Sequence, residues 1–430
     1  MTDPDTLHVW HEDQLVGFLR RNATNQIGFQ YCDDWLSGSN GFAISISLPL
    51  NANPYQPEDA HAHRFFANLL PEGQVRENIT RDLKIPDSDF DLLRAIGGEC
   101  AGALSILPAG REPDVQTSYQ ELTEEEFRDL VLRRGQIYAA PRGGLTVSHF
   151  PRLSLAGAQE KCPVLLREGQ FYLPQGEAPS SHILKFAIPD YRHVPAYETV
   201  LADLARRTGL HTASVEFHYL YVNEHAHDYL VIERYDRVAT ADGAVRRLHQ
   251  EDFCQALGVG MERKYEAGGG VGFTECFGLL REVSSEPALD AEQLILWQIF
   301  NYLAGNSDGH AKNLSLLYHS NKAIRLAPFY DLVCTRAIER IDQKLALAVG
   351  GEHMPGNIRP VHWQRLAAEL DVKFSYLQTL LKETAEQVRE EIGPAVEAFQ
   401  QKNGDYPALQ RVRQVVERQC RKLEYSLDVR

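Results

Sequence analysis

Residues 290–331 constrain the chain more than any other stretch. They open on DAEQLILWQIFNYLAG (290–305), which is apolar nearly all round and so predicts a buried, central helix. Asp290 with Gln293 predicts a capping box at its start, and Gly305 a stop at its end. The turn that follows, NSDGHAKN, sets an acid, an imidazole, a cation and an amide close together at Asp308, His310, Lys312 and Asn313. LSLLY and AIRLA then read as two strands joined at HSNK, with Asp331 after the second. A hairpin returns its ends to one place, so Asn313 and Asp331 are expected to be neighbours. Asp308, Asn313 and Asp331 would then face one small volume.

Phosphoryl transfer needs such a set. One carboxylate orients the attacking hydroxyl, while an amide oxygen and a second carboxylate hold Mg²⁺ on the phosphates. Kinase catalytic loops write this as Asp-x₄-Asn, then a strand pair and a metal-binding Asp, and here Phe329-Tyr330-Asp331 stands in that last place. The blander expectation is that Asp308 and Asn313 cap a turn and Asp331 starts the next helix. Spacing alone would not decide between them; the helix before and the hairpin after favour the kinase reading. A kinase also needs a strand lysine paired with a helical glutamate upstream. Lys185 lies in HILKF, and Glu198 lies on VPAYETVLADLARRTGL, a helix that Pro195 suits to open and Gly209 to end. Taken singly, these would be an exposed strand Lys and a solvated helix Glu. VIERYD falls where an adenine-binding hinge belongs, so Glu233 and Tyr235 would offer backbone groups to the base. SLAGAQEK (154–161) is the one candidate for a phosphate lid before Lys185, although it lacks GxGxxG.

The rest of the chain predicts an α+β fold. Short antiparallel strands are expected over 7–50, including GFAISISLPL. Residues 60–105 are helical in part, with RFFANLLPEG and SDFDLLRAIGG each ending at Gly. A loop is expected over 107–119, a helix over 123–134 with TEEEF at its N-terminus, and a domain boundary near 145. Two strands flank an EG turn after 160, and SVEFHYLYV with DYLVIERYD predicts a hairpin. After 248 the pattern turns helical, and it is amphipathic helix from 361 to the end. The predicted divisions are 1–110, 111–145, a strand-rich 146–236 and a helical 237–430. Forty-four basic against 59 acidic residues give a net charge of −15, which disfavours binding nucleic acid through overall charge. Seven scattered cysteines without CxxC predict free thiols in a reducing cytoplasm. No long apolar run predicts a membrane span, and the acidic N-terminus is not a secretory signal. HAH (61–63) and HAHD (225–228) are expected to be solvated turns rather than metal ligands. EAGGGVGF (266–273) reads as a mobile loop at a cleft rim.

LSLAGAQEK, HILKF, VIERYDR, NSDGHAKN and LAPFYDL together resemble the HipA family of bacterial serine/threonine kinases, the toxins of HipBA-type toxin–antitoxin modules. RFFANLLPEG and IGGECAGAL resemble that family's N-terminal domain, so the likeness runs over roughly 7–350. The form Asp308-His310-Asn313 is also similar to phosphoinositide-type kinases. The resemblance implies a bilobal, protein-kinase-like α+β fold with a strand-rich N-terminal subdomain and a helical C-terminal lobe. It implies Asp308 as catalytic base, Asn313 and Asp331 as Mg²⁺ ligands, and Lys185, paired with Glu198, on the ATP phosphates. Further ATP contacts are expected at Ser154, Ala156, Gly157, Ala158, Gln159, Glu233, Tyr235, His310 and Lys312. Ser154 matches the family's autophosphorylated serine, whose modification ejects the loop and switches the enzyme off. The implied partners are a helix-turn-helix antitoxin (HipB-like), operator DNA mainly through that antitoxin, and a protein substrate such as an aminoacyl-tRNA synthetase. Two other readings stay open at this point: a small-molecule or lipid-headgroup kinase, and a catalytically silent kinase fold acting as corepressor.

Overall fold

Leu7 and Val9 alternate on one strand and Ile27 and Phe29 on another, while a register shift in the strand between them brings in Val16 beside Leu19, and all six side chains are buried. The three strands are β1 (Thr6–His11), β2 (Gln14–Arg21) and β3 (Ile27–Tyr31), which with β4 (Leu104–Pro108) form an antiparallel sheet in the order β3-β2-β1-β4. This computed structural model describes residues 3–114, 117–138, 152, 154–157, 159–241, 243–319 and 323–428. The chain is α+β and divides into two compact units. The first comprises 1–186, 220–261 and 317–320; the second comprises 187–219, 262–316 and 321–430.

In the first unit GFAISISLPL is not a strand. It carries only an isolated bridge between Ser45 and Leu48. Side chains satisfy its backbone instead: the Ile44 amide donates to the Tyr31 hydroxyl (3.0 Å), which donates to the Leu48 carbonyl (2.6 Å), and the Ile46 amide donates to Glu251 (3.0 Å). The helices His61–Ala67 and Asp89–Ile96 form where expected, but the first gives way at Asn68 rather than at Gly73. A third, Gly73–Leu83, was not expected, because GQVRENITRDL is too polar to show a strong stripe. The expected loop over 107–119 is shorter, since β4 runs to Pro108 and β5 (Ser118–Glu121) begins before 119. TEEEF does open a helix, Glu124–Leu132, through a reciprocal Thr123–Glu126 capping box. The histidine pairs are not solvated turns. His61–His63 begin a helix, with His63 Nε2 3.3 Å from Asp89, and His225–Asp228 open a strand.

A second sheet follows: β6 (Lys161–Arg167), β7 (Gln170–Gln175), β8 (His182–Phe186), β9 (Val215–Val222) and β10 (His225–Glu233), in the order β5-β7-β6-β8-β10-β9. One hydrophobic cluster joins Leu7, Phe29, Phe66 and Ile106 of the N-terminal part to Val164, Leu173, Leu184 and Val231 of this sheet. The core therefore runs without a break across residue 145.

The second unit holds the central helix. It starts at Pro287, three residues earlier than expected, with no side-chain cap. Asp290 is therefore inside the helix and makes no capping box. Its carboxylate accepts from Arg325 Nη2 (2.9 Å), Ser284 Oγ (2.6 Å) and the Leu326 amide (3.0 Å), tying the helix to the second hairpin strand. Trp297, Phe300 and Tyr302 are fully buried, and Gly305 ends the helix in the left-handed region at φ 69°. Around it lie the helices Val194–Arg207, Phe273–Val283, Pro360–Glu369, Phe374–Asn403 and Leu409–Asp428. A short strand, His249–Asp252, precedes the helical half in the chain. The glycine-dense 266–273 segment is a short 3₁₀ turn leading into a helix N-terminus; a Cβ on Gly270 would fall 1.9 Å from the Arg263 carbonyl oxygen. No helix among the described residues is long and apolar enough to cross a membrane.

Candidate active site

The residues singled out in the sequence fall into two sets, one in each unit. In the second unit the turn after Gly305 is built by short-range bonds. The Asn306 side chain donates to Asn301 Oδ1 (2.9 Å) and its oxygen accepts from the Asp308 amide (3.1 Å). The Ser307 amide donates to Thr335 Oγ1 (2.7 Å), and that hydroxyl donates to the Gly305 carbonyl (3.2 Å). Gly309 passes so close to the helix that a Cβ would lie 2.7 Å from Asn301 Nδ2. The loop is thereby pinned between the central helix and the segment after Asp331, while Asp308 itself stays exposed.

Bonds from neighbouring groups fix the segments that carry the three oxygen-bearing residues. Asn313 Nδ2 donates to the Asp308 carbonyl (3.1 Å), which directs the carboxamide oxygen away from that bond. The expected hairpin forms as Ser315–Tyr318 and Ile324–Leu326, with the Ala327 amide on the Ser315 carbonyl (2.8 Å). Tyr330 then closes the arrangement: its hydroxyl donates to the Lys312 carbonyl (2.7 Å) and lies 2.9 Å from Ser315 Oγ. The residue before Asp331 is thus bonded to the residue before Asn313. Phe329 stacks on Trp297 at 5.9 Å. Asp331 has φ 55°, a left-handed conformation uncommon outside glycine, and begins no helix. His310 and Lys312 are buried. Tyr265 was not anticipated. Its hydroxyl donates to Asp308 Oδ1 (2.8 Å) and its ring meets His310 edge-on at 5.1 Å. Only its place beside the glycine-dense segment could have drawn notice. Glu198, on Val194–Arg207, is 1% exposed rather than solvated.

In the first unit Lys185 sits mid-sheet on β8, opposite Lys161 of β6 and Leu230 of β10, and is 3% exposed. It is not the exposed strand lysine of the blander reading. Lysine and glutamate are rarely buried to this degree without a partner. Bonds that hold the SLAGAQEK loop include Ser154 Oγ on the Leu69 carbonyl (2.9 Å), the Glu72 amide on the Gly157 carbonyl (3.0 Å), Gln159 Nε2 on the Phe186 carbonyl (2.6 Å) and, within the loop, Lys161 Nζ on the Ala156 carbonyl (3.1 Å). Gly157 has φ 119°, which only glycine adopts readily. Ser154 is fully buried. Ala158 lies outside the described residues. Glu233 ends β10 exposed, and the Tyr235 hydroxyl bonds Gln250. Between them the Arg234 amide bonds the Ser181 carbonyl (3.0 Å) and its side chain turns inward. Among the described residues no group of three or more His, Cys, Asp or Glu is placed to hold a metal.

Comparison with known proteins finds relatives along most of the chain. The model of the HipA N-terminal domain matches residues 7–107, and that of the HipA-like C-terminal domain matches 153–396. The Sinorhizobium fredii protein Y4mE, a kinase by provisional name, is 37% identical over 89% of this chain and 90% of its own length. The serine/threonine-protein kinase toxin HipA of Shewanella oneidensis is 29% identical over 85% of this chain and 83% of its own. The Shewanella HipA solved with HipB and operator DNA superposes with a TM-score of 0.81 at 25% identity, covering 99% of this chain and all of that one. Two matching domain models, a relative 37% identical along most of both chains and a fold shared along the whole length lead to one conclusion: the chain belongs to the HipA family of serine/threonine kinases.

Proposed function

We propose that the protein is an ATP- and Mg²⁺-dependent serine/threonine protein kinase of a toxin–antitoxin module, acting in the cytoplasm. The observation that carries this reading is the closed Asp308–Asn313–Tyr330–Asp331 arrangement, in which Asn313 Nδ2 bonds the Asp308 carbonyl and Tyr330 bonds the Lys312 carbonyl. Asp308, exposed and oriented by Tyr265, accepts the proton of the attacking hydroxyl. Asn313 and Asp331 present hard oxygen donors, which fit Mg²⁺ held by one or two protein ligands together with substrate phosphates. Such an ion, when bound, neutralises charge on the phosphates. Lys185, buried on β8, is the residue proposed for the phosphates, and Glu198 is the helical glutamate proposed for the pairing role. In the first unit the Ser154–Lys161 loop is the proposed source of backbone groups for the phosphates, and Glu233 and Tyr235 of those for the base; in the second, His310 and Lys312 are proposed ATP contacts.

Ser154 is the proposed autophosphorylation site. Its hydroxyl is buried on the Leu69 carbonyl, so phosphorylation requires the loop to leave this position. The added charge of about −1.5 to −2 then opposes its return beside ATP. The Shewanella complex supports a HipB-like helix-turn-helix antitoxin as partner, with DNA bound mainly through it. The protein substrate is proposed to be a translation enzyme of the aminoacyl-tRNA synthetase class. Intact mass after incubation with ATP and Mg²⁺, with peptide mapping, tests the reading: one added phosphate on Ser154 is expected. An unmodified chain that also phosphorylates no protein in a lysate would reject it.

A further inference from the structure

We propose that Glu99 is a positioning residue that locks the Ser154 loop in register with the turn after β10. This rests on reading those segments as phosphate loop and adenine hinge. Glu99 lies in IGGECAGAL, is completely buried, and touches both segments with different parts of itself. Its backbone brackets the loop: the Glu99 amide donates to the Arg152 carbonyl (2.7 Å) and the Ser154 amide donates to the Glu99 carbonyl (2.9 Å). Gly98 makes that approach possible, since a Cβ there would fall 2.7 Å from Arg152 Cβ.

The carboxylate reaches the other way. It accepts from Arg234 Nη1 at 2.9 and 3.0 Å, from Arg237 Nη2 at 2.6 Å and from Ser180 Oγ at 3.2 Å. Both arginines also donate to the Cys100 carbonyl, at 3.1 and 3.0 Å. Asp236 completes the ring, accepting from Arg234 Nη2 and from the Gly102 amide at 2.8 Å each. Burial opposes the Glu99 charge, but Arg234, Arg237 and Arg247 together hold its carboxyl below the usual carboxylate range. Two acids and two arginines in a closed site are a costly way to fill space, since packed apolar side chains do so as well or better. What the network adds is direction, because each charge-assisted bond has one geometry. One residue thus couples the loop's register to the hinge's, and the bracket must open before Ser154 can leave.

The test reads the bracket directly. Hydrogen exchange of the Ser154 amide is measured in the wild type, in Glu99→Gln and in Leu130→Ala, a core variant remote in sequence, compared at denaturant concentrations giving equal global stability. ATP affinity and turnover are measured alongside. Glu99→Gln is expected to speed Ser154 exchange at least about tenfold over the matched control. It should weaken ATP binding by about tenfold while turnover at saturating ATP stays within about twofold. Arg237→Lys, a milder change, should shift both in the same direction and serves if Glu99→Gln does not fold. Exchange unchanged, or equal to the control, overturns the proposal, as does faster exchange with unaltered ATP affinity. The exchange arm contains no nucleotide, so a wild type that binds no ATP would reject the kinase reading while the bracket is still judged on exchange.

Discussion

A carboxylate on an exposed loop is a useful base only if something aims it. Asp308 is aimed by its amide bond to Asn306 and by the Tyr265 hydroxyl on Oδ1. Asp308→Asn removes the proposed base and is expected to cut phosphotransfer by about 10²–10⁴-fold with the fold retained. Tyr265→Phe removes only the aiming bond, so a loss nearer about tenfold is expected, in turnover more than in ATP affinity. Steady-state kinetics on both variants check the order; a Tyr265→Phe enzyme with wild-type turnover would show that Asp308 needs no such partner. Asp331→Asn keeps the left-handed backbone, which Asn tolerates, but loses the charge. Its expected signature is a raised Mg²⁺ requirement, and an unchanged Mg²⁺ dependence would remove Asp331 from the metal set.

At the scale of elements, the pieces that could be read from the sequence are those whose bonds are local. The central helix, the NSDGHAKN turn and the hairpin follow from periodicity and spacing, and Tyr330 on the Lys312 carbonyl links the segments before Asn313 and Asp331. Several misreadings involve partners away from the local stretch, while the Gly73–Leu83 helix was missed because its sequence is polar. GFAISISLPL alternates like a strand, yet Tyr31 and Glu251 take its backbone bonds. Asp290 looks like a cap, yet its partner Arg325 is 35 positions away. Glu99 carries no local signal at all, because Arg234 lies 135 positions on. Glu251 also gives this level a pH test. It accepts from Ser45 Oγ (2.5 Å), the Ile46 amide and the Tyr318 hydroxyl, and burial raises its pKa to about 7 despite these bonds. The folded state therefore holds a proton that the unfolded chain releases near its ordinary value of 4.5. This contribution to stability is complete below that value and is lost as pH rises towards about 7; its size is on the order of 3 kcal/mol. Denaturation of wild type and Glu251→Gln at pH 5 and pH 8 should show a wild-type decline that the variant lacks. Parallel pH profiles would refute it.

At the scale of the whole molecule, the N-terminal part is scaffold for the loop and shares a core with the second sheet. Leu69 and Glu72, from RFFANLLPEG, and Glu99, from IGGECAGAL, supply the bonds to Ser154, Gly157 and Arg152. The same region shares one apolar cluster with the second sheet, so removing it would strip cover from Val164, Leu173, Leu184 and Val231 together. Uncovering a full set of core side chains costs about 1.5–3 kcal/mol for each, against a total stability of about 5–15 kcal/mol. A fragment of residues 111–430 is therefore expected to lose cooperative folding of the six-stranded sheet and to bind no ATP, even though every residue assigned a catalytic or nucleotide role is present in it. Near-UV circular dichroism and nucleotide titration of the fragment beside the full chain decide the matter. A soluble fragment with a sharp unfolding transition and full ATP affinity would mean that the sheet and its phosphate loop stand alone, and that the N-terminal contacts serve some other end.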